Sequence, residues 1–203
     1  MTDHASSDEL ALLRAAFTAG PADGPAAGPA GPVAGRSEPA RRTPPLGWDA
    51  VRAFEAEHGI VLPEPYRTVV AEICDGCSDG PPYYGLIPVA ALPADWGAGR
   101  PPRVLAEPFP LTAAWQWEDD PRPEEEVDAL LERVFQHGSI VLGTDGCGMY
   151  WHLVVSGPGR GEVWLITGEG AVPHGTADGG SAGEPGFAGW VGRWAAGLPW
   201  WSE

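Results

Sequence analysis

The feature that most constrains this chain is the stretch WDAVRAFEAEHGIVLPEPYRTVVAEICDG, from Trp48 to Gly76. It reads as two short amphipathic helices that meet at a proline-fixed corner. In the first, about Trp48–His58, the residues Trp48, Val51 and Phe54 recur every third position and face a core. Gly59 then supplies a left-handed stop. Ile60 and Leu62 lead into Pro63, whose missing N–H suits a first helical turn, where that donor would be unpaired anyway. The second helix carries Tyr66, Val69, Val70 and Ile73 at i, i+3, i+4 and i+7 and ends at Asp75-Gly76.

Downstream, a Gly/Pro-rich loop over 75–82 precedes an expected first strand, Tyr83–Val89, in which Pro88 points to an edge or a bulge. Residues 93–121 hold Trp96, Phe109, Trp115 and Trp117 among prolines, with one short strand near Leu111–Trp117. A third helix is expected over Pro123–His137, with Val127, Leu130, Leu131 and Val134 as its buried stripe. Its positive N-terminus is matched by Glu124–Glu126. Ser139–Gly143, Met149–Val155 and Glu162–Ile166 read as strands, the last two joined as a hairpin through Ser156–Gly161. A glycine-rich loop, 168–186, precedes a closing helix with Phe187, Trp190, Val191, Trp194 and Leu198 on one face. This order predicts an α+β fold, an antiparallel sheet with helices packed mainly on one face.

Residues 1–45 read as an N-terminal arm and 46–203 as the folded domain. A short helix is expected at 7–17, with Ser6 and Glu9 forming a capping box and Leu10, Leu13 and Phe17 on one face. A helix this short needs a surface to dock on. Residues 18–45 are Gly-, Pro- and Ala-rich with few large apolar side chains, the composition of a disordered linker.

Taken together, these pieces resemble the SUKH superfamily, whose founding members include yeast Knr/Smi-type cell-wall regulators. The resemblance rests on the run E-x-x-x-G-x-x-LP-x-x-Y, here Glu55, Gly59, Leu62, Pro63 and Tyr66, and on Asp75-Gly76, where the family often has Asn-Gly. It continues through Gly146–Gly148 with Trp151 and the final Phe187/Trp190/Trp194 helix, covering about 46–200. It implies a binding module and not an enzyme; most bacterial members look like immunity proteins against polymorphic toxins.

Composition narrows the partners. Ten Trp and 43% hydrophobic residues suffice for a sizeable core, and the basic residues are all Arg, which reads as the codon bias of a high-GC bacterium. The net charge of −16 repels phosphate, so nucleic acid and anionic membrane are poor partners and a basic protein is a better one. The same acidity also serves plain solubility. With no secretion signal in residues 1–20, no apolar run of membrane-spanning length and an odd number of cysteines, a cytoplasmic protein with reduced thiols is expected. A monomer is expected as well.

Cys74-x-x-Cys77, with Cys147 and His152 further on, invites a zinc or redox reading. One close pair and a distant Cys-x4-His do not make the two well-formed pairs of a structural zinc site, and Cys74 sits where it packs as a small hydrophobe. Cys147 with His152 or His137 imitates a nucleophile and base, but GTDGCG resembles a tight turn between strands. His4, His58 and His174 fall in tail, helix-end and loop positions and read as solvated. The expectation is therefore no catalytic residue, no metal and no cofactor.

The acidic run Glu118–Glu132 holds eight acids and one Arg, net −7. It reads either as a solvated face or as a docking face for a cationic partner. In the second reading Glu118, Asp119, Asp120, Glu124, Glu125 and Glu126 supply charge. Trp115 and Trp117 supply aromatic anchors, and Tyr83 and Tyr84 add to the patch. The preferred function is an immunity protein that neutralises a basic toxin, such as a nuclease, by direct binding. The alternative is an intracellular scaffold of the same fold, and a cysteine-dependent enzyme or metal protein is the third reading.

Overall fold

The computed structural model describes residues 5–20, 42–96, 102–176 and 183–200. The expected linker falls mostly on residues 21–41, outside the described residues. The helices are α1 (Ser7–Ala19), α2 (Trp48–His58), α3 (Tyr66–Glu72), α4 (Glu124–Gln136) and α5 (Gly186–Ala195). The strands are β1 (Trp115–Gln116), β2 (Ser139–Gly146), β3 (Met149–Val154), β4 (Val163–Ile166) and β5 (Gly170–Pro173), forming one antiparallel sheet in the order β1-β5-β4-β3-β2.

Strands β2, β3 and β4 bury both faces, which is why they read as apolar runs and not as alternation. Ile140, Leu142, Trp151, Leu153, Val163 and Leu165 meet α1, α2, α3 and α5 in the main core. Val154, Trp164, Ile166 and Ala171 face the other way, toward Phe109, Leu111 and Val134 of α4. The fold is thus α+β, with four of the five helices among the described residues on one face. In α4 only Val134 is fully buried; Val127, Leu130 and Leu131 are half-buried, so the helix lies shallowly on the sheet.

One carboxylate knits the corner between α2 and α3. Buried Glu55 accepts the Leu62 N–H at 2.9 Å and a bidentate pair from Arg67 at 2.7 and 2.8 Å. The Arg67 guanidinium lies 5.3 Å over the Trp48 ring, whose Nε1 donates to Glu72 at 3.0 Å. Arg160, from the β3–β4 turn, donates to the Val61 and Leu62 carbonyls and ties the corner to the sheet.

At the N-terminus the capping box forms, with the Glu9 N–H donating to Ser6 Oγ and the Ser6 N–H to the Glu9 carboxylate. Helix α1 packs across α3 and α5, burying Leu13 and Phe17. Full burial of two such side chains contributes about 1.5–3 kcal/mol each.

Two strand expectations change. Tyr83–Val89 is not a strand: residues 82–85 make a turn, closed by the Gly85 N–H on the Pro82 carbonyl. Gly85 has φ 94°, and a Cβ there would meet the Cys77 carbonyl oxygen at 2.6 Å. The segment still runs beside β2, through Tyr84 N–H to Thr144 O and Ile87 N–H to Leu142 O. Conversely, β5 lies inside the expected glycine-rich loop and pairs with both β4 and β1.

The C-terminal end closes on an aromatic cluster. Trp200 lies nearly parallel to Trp190 (21°, 5.8 Å) and 5.0 Å from Trp151. His174, which the sequence placed in solvent, is buried against Trp151 and Trp200. Burial, and secondarily the Arg193 charge, push its imidazole down to about 4.

Glu55→Ala strands the Leu62 N–H and the Arg67 charge and is expected to cost about 3 kcal/mol, whereas Glu55→Gln keeps an acceptor for Leu62 and costs less. Urea unfolding followed by tryptophan fluorescence checks both. For His174, the unfolded chain takes up a proton near 6.5 that the folded chain refuses until about 4. Stability therefore falls as pH drops through that window, by up to about 3 kcal/mol. Melting of wild type and His174→Gln between pH 7 and pH 5 should show a shallower slope for the variant.

Candidate partner-docking face

Strand β1 is an edge strand, and residues two apart on a strand share a face. Trp115 and Trp117 accordingly sit together, centroids 5.3 Å apart, packed against the second core and half-exposed. Trp117 is fixed on the β4–β5 turn, its backbone N–H donating to Glu169 O and its Nε1 to Gly168 O at 2.8 Å. Trp115 Nε1 donates to Asp120 at 2.5 Å.

Asp120 also accepts from the Arg122 backbone N–H and from both Arg122 Nε and Nη2. The Arg122 hydrogen bonds, and then that of Trp115, hold its carboxyl well below the usual carboxylate range. Arg122 in turn lies 5.4 Å over the Trp115 ring. The sequence counted Asp120 as free docking charge, but here it is an internal fastener. Arg122, which the sequence reading left out of the site, frames the aromatic pair. Its signal was the Pro-Arg-Pro step that fixes the turn before α4.

Beyond this fastener, Glu118 and Asp119 are exposed, and so are Glu124, Glu125 and Glu126 in the first turn of α4. No side chain caps that helix, so the three glutamates meet its positive end directly. The result is an exposed acidic band next to a half-exposed tryptophan pair. Tyr83 and Tyr84 do not join it. They stack edge-on at 5.0 Å beside β2, the opposite edge of the sheet. There the Tyr83 N–H donates to Asp145, which also accepts from Trp151 Nε1. Tyr84 is half-exposed against Gly146.

The cysteines do not converge. Cys74 and Cys77 are buried under the α3 end; burial pushes the Cys74 thiol up to about 11 and raises Cys77 as well. Cys147 is exposed at the β2–β3 turn, at φ 52° and followed by Gly148 at φ 78°, the paired left-handed conformation of a two-residue hairpin. His152 is buried in the sheet, its Nδ1 2.9 Å from Ser139 Oγ. Among the described residues, no three His, Cys, Asp or Glu side chains are grouped to hold a metal, and no helix is long and apolar enough to cross a membrane.

Residues 45–180 match the model of the SMI1/KNR4 family (SUKH-1). The chain belongs to that family. No curated protein and no solved structure gives a significant match. The residues that carry the SUKH pattern have structural work. Glu55 and Tyr66 are buried at the corner, and Gly59 takes φ 67° to end α2. Asp75 Oδ1 accepts the Val89 N–H at 3.0 Å, a bond that an asparagine oxygen makes equally well. Helices α1 and α5 lie outside the matched SUKH segment, yet both contribute to its main core.

One native thiol is expected to react promptly with a disulfide reagent, Cys147, and all three in denaturant. Cys147→Ser should abolish the native reaction and leave the fold intact. Two or three fast native thiols would mean that the α3 end is open.

Proposed function

We propose that this SUKH protein is a binding module without catalytic activity that neutralises a basic toxin domain by covering it. The carrying observation is the acidic band of Glu118, Asp119 and Glu124–Glu126 beside the Trp115–Trp117 pair, with its nearest described cation, Arg122, already engaged by Asp120. Half-exposed tryptophans supply apolar area at low entropic cost, and the surrounding charge selects a cationic partner and speeds encounter. A nuclease fits, because its own substrate-binding surface must attract phosphate. Asp120 and Arg122 act as positioning residues that hold Trp115 in one orientation. Membership of the SUKH family supports a protein-binding role. The chain then works as a monomer in the cytoplasm, where its antidote role is needed, and requires no cofactor.

The second reading, an intracellular scaffold, is favoured by the N-terminal α1, which lies outside the family match and provides a further docking element.

Affinity capture from the native lysate separates the two, using wild type and the Asp119→Asn/Glu124→Gln/Glu125→Gln/Glu126→Gln variant in parallel, with mass spectrometry of the retained proteins. The expected result is one dominant basic toxin domain, retained at low salt, released at high salt, and bound about tenfold or more weakly by the variant. Equal retention by both proteins would refute the acidic docking face. A set of housekeeping proteins in place of a toxin would favour the scaffold.

A further inference from the structure

Helix α1 occupies a groove between α3 and α5. Leu13 and Phe17 are its buried side chains, Leu10 and Ala16 pack half-buried against the same core, Phe17 lies 6.2 Å from Trp194, and Arg14 pairs with Glu72 at 3.6 Å. Thr18 accepts from Arg42 at 3.3 Å, so the end of α1 and the start of the following domain lie side by side. Yet twenty-one residues, 21–41, connect Gly20 to Arg42. Fully extended, that length spans about 70 Å. On sequence length alone, that connection does not oblige α1 to stay in the groove.

Its first turn leaves space against α5 and the segment just before it. A cleft of about 530 Å³ remains, lined by Glu9, Glu184, Ala188, Gly189, Gly192 and Arg193. A Cβ on Gly192 would meet nothing within 4 Å, so this stretch of α5 has room for a larger neighbouring side chain. Glu9 and Glu184 line the same cleft with like charge, while Arg193 turns its Nε to the Pro199 carbonyl.

We infer that the α3–α5 groove is a second helix-binding surface, that α1 is its tethered plug, and that a basic amphipathic helix from a partner displaces it. Such a helix presents apolar side chains at the spacing of Leu10, Leu13 and Phe17. It places a cation where α1 has Arg14, against Glu72, and another where α1 has Glu9, against Glu184. The chain's net charge of −16 favours that competitor over α1, whose Asp8, Glu9 and Arg14 sum to −1. Exchange of α1 between two copies is disfavoured by the length of the same connection, since swapping is driven by short, strained ones. This surface is independent of the acidic band and of the toxin reading.

Two measurements on the full chain test the plug. In hydrogen exchange of the wild type, α1 amides should exchange through local opening, well before those of β3 and α5. Exchange of α1 only with global unfolding would overturn the inference. The Leu13→Asp/Phe17→Asp full chain should retain a cooperative melt and bind a fluorescent peptide of residues 5–20. The wild type, with its own α1 at millimolar effective concentration, should bind that peptide about 100-fold more weakly. A peptide carrying Glu9→Arg should bind the variant more tightly than the parent peptide. A variant that loses its cooperative melt shows α1 to be an integral part of the core and overturns the plug. A folded variant that binds neither peptide overturns the groove, and one that binds both peptides equally overturns the basic-partner assignment.

Discussion

The Glu55 carboxylate is the constraint on which the rest of the domain hangs. The chain must turn sharply after α2 to lay α3 against the same sheet, and that turn leaves a buried N–H at Leu62. A carboxylate satisfies it and simultaneously holds Arg67, so the corner and the first turn of α3 are fixed together. Burying a charge is tolerable only with such paired hydrogen bonds. Because Arg160 grips the same corner from the β3–β4 turn, the helical layer and the sheet are set in register by adjoining contacts. Replacing the carboxylate with an apolar residue would strand the Leu62 N–H in the corner and the Arg67 charge on α3 together.

What the sequence made legible follows from where periodicity and capping chemistry are strong. Helices α2, α3 and α5 carry clean apolar stripes, and α1 carries Ser6 and Glu9, so each was readable locally. The strands were readable as apolar runs because both of their faces are covered. Strand β5 was not, since Gly170, Ala171 and Pro173 have no β-propensity and pair only because β4 and the β1 edge are already in place. The stretch Tyr83–Val89 has strand-like residues, but Gly85 turns the backbone against Cys77. His174 looked like a loop residue because nothing local reports that Trp200 returns from the far end of the chain to cover it.

The candidate site divides along the same line. Its acidity and its tryptophans are properties of composition and were visible in the residue string. Which carboxylate is free and which is committed depends on three-dimensional pairing. Asp120 and Asp119 are neighbours with the same formal charge, yet only one folds back onto Arg122 and Trp115. The separation of Tyr83 and Tyr84 from Trp115 and Trp117 is likewise a consequence of strand order, which places consecutive segments at opposite edges.

The aromatic stack at the C-terminal end has an optical consequence. Trp190 and Trp200 lie nearly face to face, with Trp151 close to both, so their indole transitions couple and do not absorb as isolated chromophores. Trp200 belongs to the tail after α5, while Trp151 sits in the middle of the sheet. The intensity of that coupling in circular dichroism is therefore a gauge of whether the tail is seated. The protein carries its own label for the closure of its last element, with no added dye.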